Sequence, residues 1–221
     1  MISGIGLALK TLKPTVKIIG VQSKNNPSMQ ESITHQRVIT IKGFPSIADG
    51  ITVKTPGDLT FELVKQYVDE IVTVDEDEIA STMLLFLESA KVVAEGAGAT
   101  SAAAILHSLT PYKNRKMVAL LSGGNVDVNI LARTIDKGLI KNGRKCFLTT
   151  VLSDRPGALA QLLQLIASKG ANVLAVKHQR ETLDIPISFA KVELELETVD
   201  EVQVQTIQRL LEENYYRVRI Y

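Results

Sequence analysis

The chain has 221 residues, 45% of them hydrophobic, which is enough for one large or two small domains with well-filled cores. Its 25 basic and 24 acidic side chains leave a formal net charge of +1, so no global field would attract nucleic acid or an anionic membrane. The single cysteine, Cys146, excludes an internal disulfide framework. Because the sequence has neither a secretory leader nor an apolar run of membrane-spanning length, we expect a cytoplasmic protein.

The histidines do not indicate a metal site. His35, His107 and His178 are scattered along the chain, without the short spacing that a pair of metal ligands requires. A zinc cluster built on cysteines is excluded by the single Cys146. We therefore expect each histidine to be structural or solvated, and we assign no metal.

The first part of the chain, up to residue 141, alternates short apolar runs with longer amphipathic ones. Runs with the composition of buried strands occupy 16–21, 70–74 and 117–121, and helical periodicity covers 59–68, 76–90 and 128–140. Strands separated by helices indicate an α/β fold with a mainly parallel sheet. The stretch 25–57 carries several prolines and glycines, so we predict mostly loop and short extended pieces there.

The pattern changes after the basic stretch 141–145, where a second domain begins. We predict strands at 147–152, 172–179, 190–197 and 216–221, with one helix beginning near Pro156 and another over 199–213. This βαββαβ order is the ferredoxin-like arrangement, in which two helices cover one face of an antiparallel sheet. The predicted domains are therefore 1–144 and 145–221. The uncovered face either contacts water or pairs with a second copy of the chain.

Two glycine-rich or alanine-rich segments in the first domain are candidate ligand sites. The segment SGGN, Ser122 to Asn125, follows the predicted strand 117–121 at its carboxyl end, where parallel sheets place their ligands. It is equally explained as a tight turn between a strand and a helix. In EGAGATSAAA, Glu95 precedes small residues that let a helix end approach a flat group, or Glu95 is a capping acid of a helix packed through alanines.

Taken together, these segments resemble the threonine and serine ammonia-lyases, with serine racemase as a relative. The resemblance rests on the order and spacing of residues 2–10, 18–22, 47–51, 54–79, 91–106 and 120–127. It implies the fold of the tryptophan synthase β-subunit group and the cofactor pyridoxal phosphate, which acts as an electron sink. The implied reaction converts threonine to 2-oxobutanoate and ammonia, with serine as a further family substrate.

The resemblance also implies which residues contact the cofactor. Ser122 would lie beside the pyridine nitrogen, where a hydroxyl leaves that nitrogen unprotonated and favours elimination over transamination. Gly123 and Gly124 would line the ring pocket, Glu95 would lie near the polar edge of the cofactor, and Met1 would directly follow the phosphate-binding loop. Because Gln22 stands where the racemase relatives carry a metal-binding glutamate, that cation site is not carried over.

The sequence departs from the family pattern at its start. The family holds the cofactor as a Schiff base on a lysine in an SxKxRG-type motif, and a tetraglycine loop binds the phosphate. Neither motif occurs in the 221 residues. We therefore assign no catalytic residue, and we expect a fragment that does not catalyse the reaction alone and whose own binding of pyridoxal phosphate is doubtful.

The second domain resembles the ACT domain, a regulatory module that binds amino acids, through the signature LSDRPGALAQLLQLIASKGANV at 152–173. The resemblance implies an effector held between two copies by Asp154, Gly157, Ala158, Leu159 and Asn172. A helix N-terminus can take a carboxylate and Asp154 can take an ammonium; alternatively, Asp154 is a helix cap and Asn172 a turn residue. Isoleucine or valine would suit a biosynthetic enzyme. The alternative function is a non-catalytic regulatory protein that binds amino acids.

Overall fold

The computed structural model describes residues 1–181 and 185–221. The chain forms two compact units, Met1–Ile135 and Asp136–Tyr221. The division falls within the helix Val128–Lys141, nine residues before the predicted domain boundary at 144/145. That boundary stays a prediction.

The first unit is built from six helices and two strands. They are α1 (Ile2–Leu12), β1 (Ile19–Ser23), α2 (Ser28–Thr34), α3 (Asp58–Tyr67), β2 (Glu70–Val74), α4 (Glu76–Leu85), α5 (Gly96–Ala103) and α6 (Val128–Lys141), the last of which runs past the division. Short 3-10 turns lie at Asp49–Ile51 and Thr110–Tyr112, and π-helical turns at Phe86–Ala90 and Ala104–Ser108.

The two strands of the first unit form a parallel pair. Their register runs from Ile19 opposite Glu70 to Ser23 opposite Val74. The chain then enters α4 through a capping box, in which the Asp75 carboxylate accepts from the Glu78 N–H at 2.9 Å and the Asp75 N–H donates to the Glu78 carboxylate at 2.8 Å. The Glu78 N–H keeps the pKa of Asp75 below its usual value. This cap fixes where β2 ends and α4 begins.

Several sequence predictions for the first unit were wrong, wholly or in part; the strand predicted at 16–21 is observed at Ile19–Ser23. Residues 117–121 pair with no strand in the described part of the chain, and Val118 is 95% exposed. An apolar run has the composition of a buried strand, but a ladder also needs a neighbouring strand. Within 25–57, α2 replaces part of the predicted loop because the Gln22 side chain accepts from the Gln30 N–H inside its first turn. The predicted helix 76–90 changes to a π-helical turn at Phe86.

The second unit has the predicted βαββαβ order. Its elements are β3 (Lys145–Ser153), α7 (Ala158–Ala167), β4 (Asn172–Gln179), β5 (Phe189–Glu197), α8 (Glu201–Glu213) and β6 (Val218–Ile220). All pairs are antiparallel, and the strand order is β4-β5-β3-β6. The last strand enters two residues later than the sequence predicts, at Val218. The ferredoxin-like topology expected from the sequence is therefore observed.

One face of this sheet is covered by the helices and forms a core. On β5 the predicted alternation is present, since Ala190, Val192, Leu194 and Leu196 are all buried. They pack with residues of the neighbouring strand and of α7 and α8, among them Leu148, Leu162, Ile166, Ile207 and Leu211. Cys146 belongs to the same core, and burial raises the pKa of its thiol.

The other face of the sheet combines apolar and charged side chains. Phe147 and Val151 are 38% and 37% exposed on β3, beside ion pairs of Glu193 with Lys177 at 3.3 Å and with Lys191 at 2.7 Å. Pairing of this face with a second copy stays a prediction. Within the described ranges, none of the helices combines the length and apolar character needed to cross a membrane.

Candidate functional site

The first candidate site is formed by the start of α5 and the segment 120–124. Glu95 occupies the N-cap position of α5, and its N–H donates to the Gly123 carbonyl oxygen at 3.3 Å. Further along the helix, the Ser101 hydroxyl donates to the Leu120 carbonyl oxygen at 2.7 Å. These two hydrogen bonds hold the segment 120–124 against α5. The sequence had predicted a strand over 117–121, which overlaps the start of this segment.

Missing side chains allow the two backbones to touch. A Cβ atom at Gly98 would overlap the carbonyl oxygen of Ser122. Gly123 has a φ of +85°, in the left-handed region, and a Cβ atom there would overlap the Glu95 carboxylate. The position of Ser122 is therefore set by glycines on both sides of the contact.

A third segment contacts the same helix start. A Cβ atom at Gly96 would overlap the carbonyl oxygen of Ile47. Ile47 is itself fixed by Glu76, whose carboxylate accepts from the Ile47 N–H and from the Ser46 hydroxyl, both at 2.7 Å. Because Glu76 is the first residue of α4, directly after β2 and Asp75, the contact connects the carboxyl end of the sheet to the start of α5.

The structure brings together four of the five residues predicted to contact a cofactor. Ser122 and Glu95 are half-buried, and Gly123 and Gly124 are exposed beside them. The Ser122 hydroxyl makes no hydrogen bond to the described residues. The Glu95 carboxylate makes no capping bond to α5, so the alternative of a capping acid is not what the structure has. Met1 lies apart at the N-cap of α1, 74% exposed, with its carbonyl bonded within that helix.

Sequence reasoning missed Gly96 and Gly98 as parts of this site. Two glycines separated by one residue at the start of a helix were a usable signal. Glycine is a poor helix former, so its presence there indicates a close approach of another segment. Gln22, where the racemase relatives carry a metal ligand, uses its amide to bond the backbone of Asn26 and Gln30. No group of potential metal ligands occurs among residues 1–181 and 185–221.

The second candidate site is an open cavity of about 350 Å³ in the second unit. Its lining includes Asp154, Arg155, Gly157, Leu159, His178 and Arg180. Gly157 stands at the N-cap of α7 with a φ of +85°, which lets the chain turn sharply from Pro156 into the helix. The cavity is therefore bounded by the turn before α7 and by the end of β4.

An ion pair lies in the cavity wall. Arg180 Nε lies 3.0 and 2.9 Å from the two carboxylate oxygens of Asp154. The sequence left open that Asp154 is a helix cap. It does not cap α7, because its carboxylate points to Arg180 and the N-cap position belongs to Gly157. Arg180 and His178 were missed by sequence reasoning, since only folding brings the end of β4 beside the turn at Asp154.

The remaining predicted effector residues lie in two places. Ala158 is the first residue of α7 and is buried. Asn172 begins β4 and is not part of the cavity lining; its side-chain amide donates to the Glu197 carboxylate at 3.2 Å. Within one chain, the structure therefore joins Asp154, Gly157 and Leu159 but leaves Asn172 elsewhere.

The class of protein follows from comparison with known families. Residues 1–123 match the family model described as pyridoxal-phosphate dependent enzyme, so the chain belongs to that family, whose cofactor is pyridoxal phosphate.

Within the family, the chain is a homologue of the threonine ammonia-lyases. It is 56% identical to the L-threonine ammonia-lyase of Thermotoga maritima over 220 residues, which is all of this chain and 55% of that protein. It is 39% identical to the L-threonine ammonia-lyase of Geobacter sulfurreducens, over 90% of this chain and 49% of that one. The chain thus spans about half the length of these curated relatives. Among solved structures, the processed threonine deaminase isoform 2 of Solanum lycopersicum matches 62% of this chain and 40% of its own, with a TM-score of 0.59 and 28% identity.

Proposed function

We propose that the first unit supplies one wall of a cofactor site in a threonine ammonia-lyase that converts threonine to 2-oxobutanoate and ammonia. Bound pyridoxal phosphate would supply the electron sink for loss of the α-proton and the β-hydroxyl. In this proposal Ser122 is the uncharged partner of the pyridine nitrogen. Gly123 and Gly124 line the ring, and Glu95 lies at its polar edge.

The contact of α5 with the segment 120–124 carries this proposal. The glycines at 98 and 123 let α5 and this segment approach closely, which places Ser122 beside Glu95 at the start of α5. The Ser122 hydroxyl is half-buried and has no partner among the described residues, so it is available to a ring nitrogen. A neutral hydroxyl can accept or donate one hydrogen bond without imposing a charge on that nitrogen.

The test is to measure 2-oxobutanoate formed from threonine, with pyridoxal phosphate present, by a longer polypeptide that carries these residues together with an SxKxRG-type lysine motif and a tetraglycine loop. Ser122→Ala is expected to lower kcat, whereas Ser122→Asp is expected to lower kcat and to increase the share of transamination. Ser168→Ala is a matched control, because its hydroxyl bonds the backbone of Leu165 in the second unit. Equal activity of Ser122→Asp and the unsubstituted protein would contradict the assigned role.

For the second unit we propose an ACT-like regulatory domain that binds an aliphatic amino acid such as isoleucine or valine. Its ferredoxin-like topology and the cavity at the start of α7 support this. Asp154 offers an anion for the ligand's ammonium, and the start of α7 offers N–H groups for its carboxylate. We also propose that the uncovered sheet face joins two copies, which light scattering of the purified chain tests directly.

The alternative function is a non-catalytic protein that binds amino acids. One observation favours it: all residues that line the cavity belong to the second unit, so binding there does not require the first. Titration calorimetry with isoleucine and valine tests the sensor, and the assay of 2-oxobutanoate distinguishes the two functions. Amino-acid binding without any turnover, measured on a polypeptide that also carries the lysine motif and the tetraglycine loop, would favour the alternative.

A further inference from the structure

The ion pair in the second unit's cavity is complementary to a free amino acid: the Asp154 anion matches its ammonium, and the Arg180 cation matches its carboxylate. Arg180 is 60% exposed and Asp154 30% exposed in their side chains. Exposed pairs of this kind are screened by water and contribute little to stability. The pair can therefore open at small cost when a ligand offers both charges a new partner.

We propose that an α-amino acid zwitterion opens the Asp154–Arg180 pair and inserts between the two side chains. Asp154 takes the ligand's ammonium, and Arg180 takes its carboxylate. The inference rests on the proposed sensing function of the second unit, and it adds the cationic residue and the way in which the ligand is captured. Each charge of the ligand then faces an opposite charge of the protein, which offsets the hydration that it loses on binding.

A second observation points to a ligand in the same cavity. The Nε2 atom of His178 is buried and has no hydrogen-bond partner in the part of the chain that the structure describes. His178 lies opposite Val192 in the β4–β5 register and lines the cavity. Because an unpaired buried polar atom is costly, a polar group of a ligand stabilises this arrangement by supplying the missing partner.

The rest of the lining indicates the class of amino acid. Leu152 and Leu159 contribute apolar surface, which favours an aliphatic side chain over a charged one. Arg155 also lines the cavity, and α7 begins beside it. Both features make the cavity more positive, which favours a ligand that carries a carboxylate.

Competition between Arg180 and the ligand would have the opposite effect on affinity. If Arg180 merely competed with the ligand's ammonium for Asp154, its removal would strengthen binding by about two- to fivefold, the value of an exposed ion pair. Insertion requires the reverse, because Arg180 then contacts the ligand. The sign of the effect at Arg180 therefore separates the two.

The test is titration calorimetry of the 221-residue chain with isoleucine, for Arg180→Gln and for a matched control. Arg209→Gln removes the same charge from α8, outside the cavity. We expect Arg180→Gln to weaken isoleucine binding about five- to tenfold, as for a partly exposed charge-assisted contact, and Arg209→Gln to change it less than about twofold. Circular dichroism confirms that both variants are folded.

Isoleucine amide, which lacks the carboxylate, sharpens the experiment. It is expected to bind the unsubstituted chain more weakly than isoleucine, and Arg180→Gln is expected to weaken it no further, because the contact is already missing. Insertion is overturned if Arg180→Gln binds isoleucine as tightly as before or more tightly, or if it weakens isoleucine and its amide by the same factor. Absence of any amino-acid binding by the unsubstituted chain overturns the sensing function itself, and the inference with it.

Discussion

Replacing Gly98 with alanine tests whether backbone contact, and not helix propensity, decides the residue at this position. Gly98 lies inside α5, where alanine would ordinarily stabilise a helix by about 1 kcal/mol. At this position a Cβ atom would overlap the Ser122 carbonyl oxygen, which is backbone and cannot rotate away. Overpacking of this kind costs about 1–3 kcal/mol, and because the obstructing atom is backbone the upper part of that range, about 2–3 kcal/mol, applies against the helix gain of about 1 kcal/mol. The expected result is a net loss of stability of about 1–2 kcal/mol.

The matched control is Gly4→Ala in α1. Gly4 is exposed, and a Cβ atom there has no neighbour within 4 Å. The control is therefore expected to stabilise the chain by about 0.5–1 kcal/mol. Urea unfolding followed by circular dichroism measures both variants, and hydrogen exchange locates the change. The reasoning is refuted if Gly98→Ala is as stable as Gly4→Ala, or if exchange in α5 and in residues 120–124 is unaltered.

Three further outcomes can be measured. Gly157→Ala should destabilise the second unit by about 1–2 kcal/mol in thermal unfolding, through left-handed backbone strain alone, since among the described residues no atom beyond the chain neighbours lies within 4 Å of the added Cβ; an unchanged Tm would contradict this. Asp75→Ala should cost about 1 kcal/mol near neutral pH by removing the cap of α4. Because the Glu78 N–H lowers the pKa of Asp75, this difference is present above the ordinary pKa of aspartate and should shrink as pH falls through the lowered value, so a constant difference between pH 7 and pH 2 would be inconsistent. Cys146 is buried, and burial raises the pKa of its thiol, so it should react with iodoacetamide far more slowly in buffer than in urea.

The second unit was the more predictable from sequence. The residues of β5 alternate strictly, and the unit's turns carry strong signals, such as Gly170 with a φ of +77° after α7. The predicted strand 172–179 agrees with β4 at both ends.

The first unit was less predictable because the pattern of a segment does not show which group it will contact. Composition predicted the strand at 70–74 with its correct ends, but the same reasoning failed for 117–121. Nothing local says that Leu120 will bond to the Ser101 hydroxyl and not to a neighbouring strand. Likewise, the sequence identified Asp154 as a candidate but could not reveal Arg180, whose position depends on the fold.

The close packing around Gly96 and Gly98 limits how this protein could be redesigned. Ser122 is held by backbone atoms, and those atoms are held in turn by a carboxylate at Glu76 and the loop at Ile47. Under the role proposed for Ser122, a designer who wished to change the partner of the ring nitrogen could exchange the Ser122 side chain without moving its backbone. Enlarging any glycine in the contact would instead shift α5 relative to the segment 120–124. Substitutions that alter the proposed reaction are therefore tolerated at position 122 and not at the neighbouring glycines.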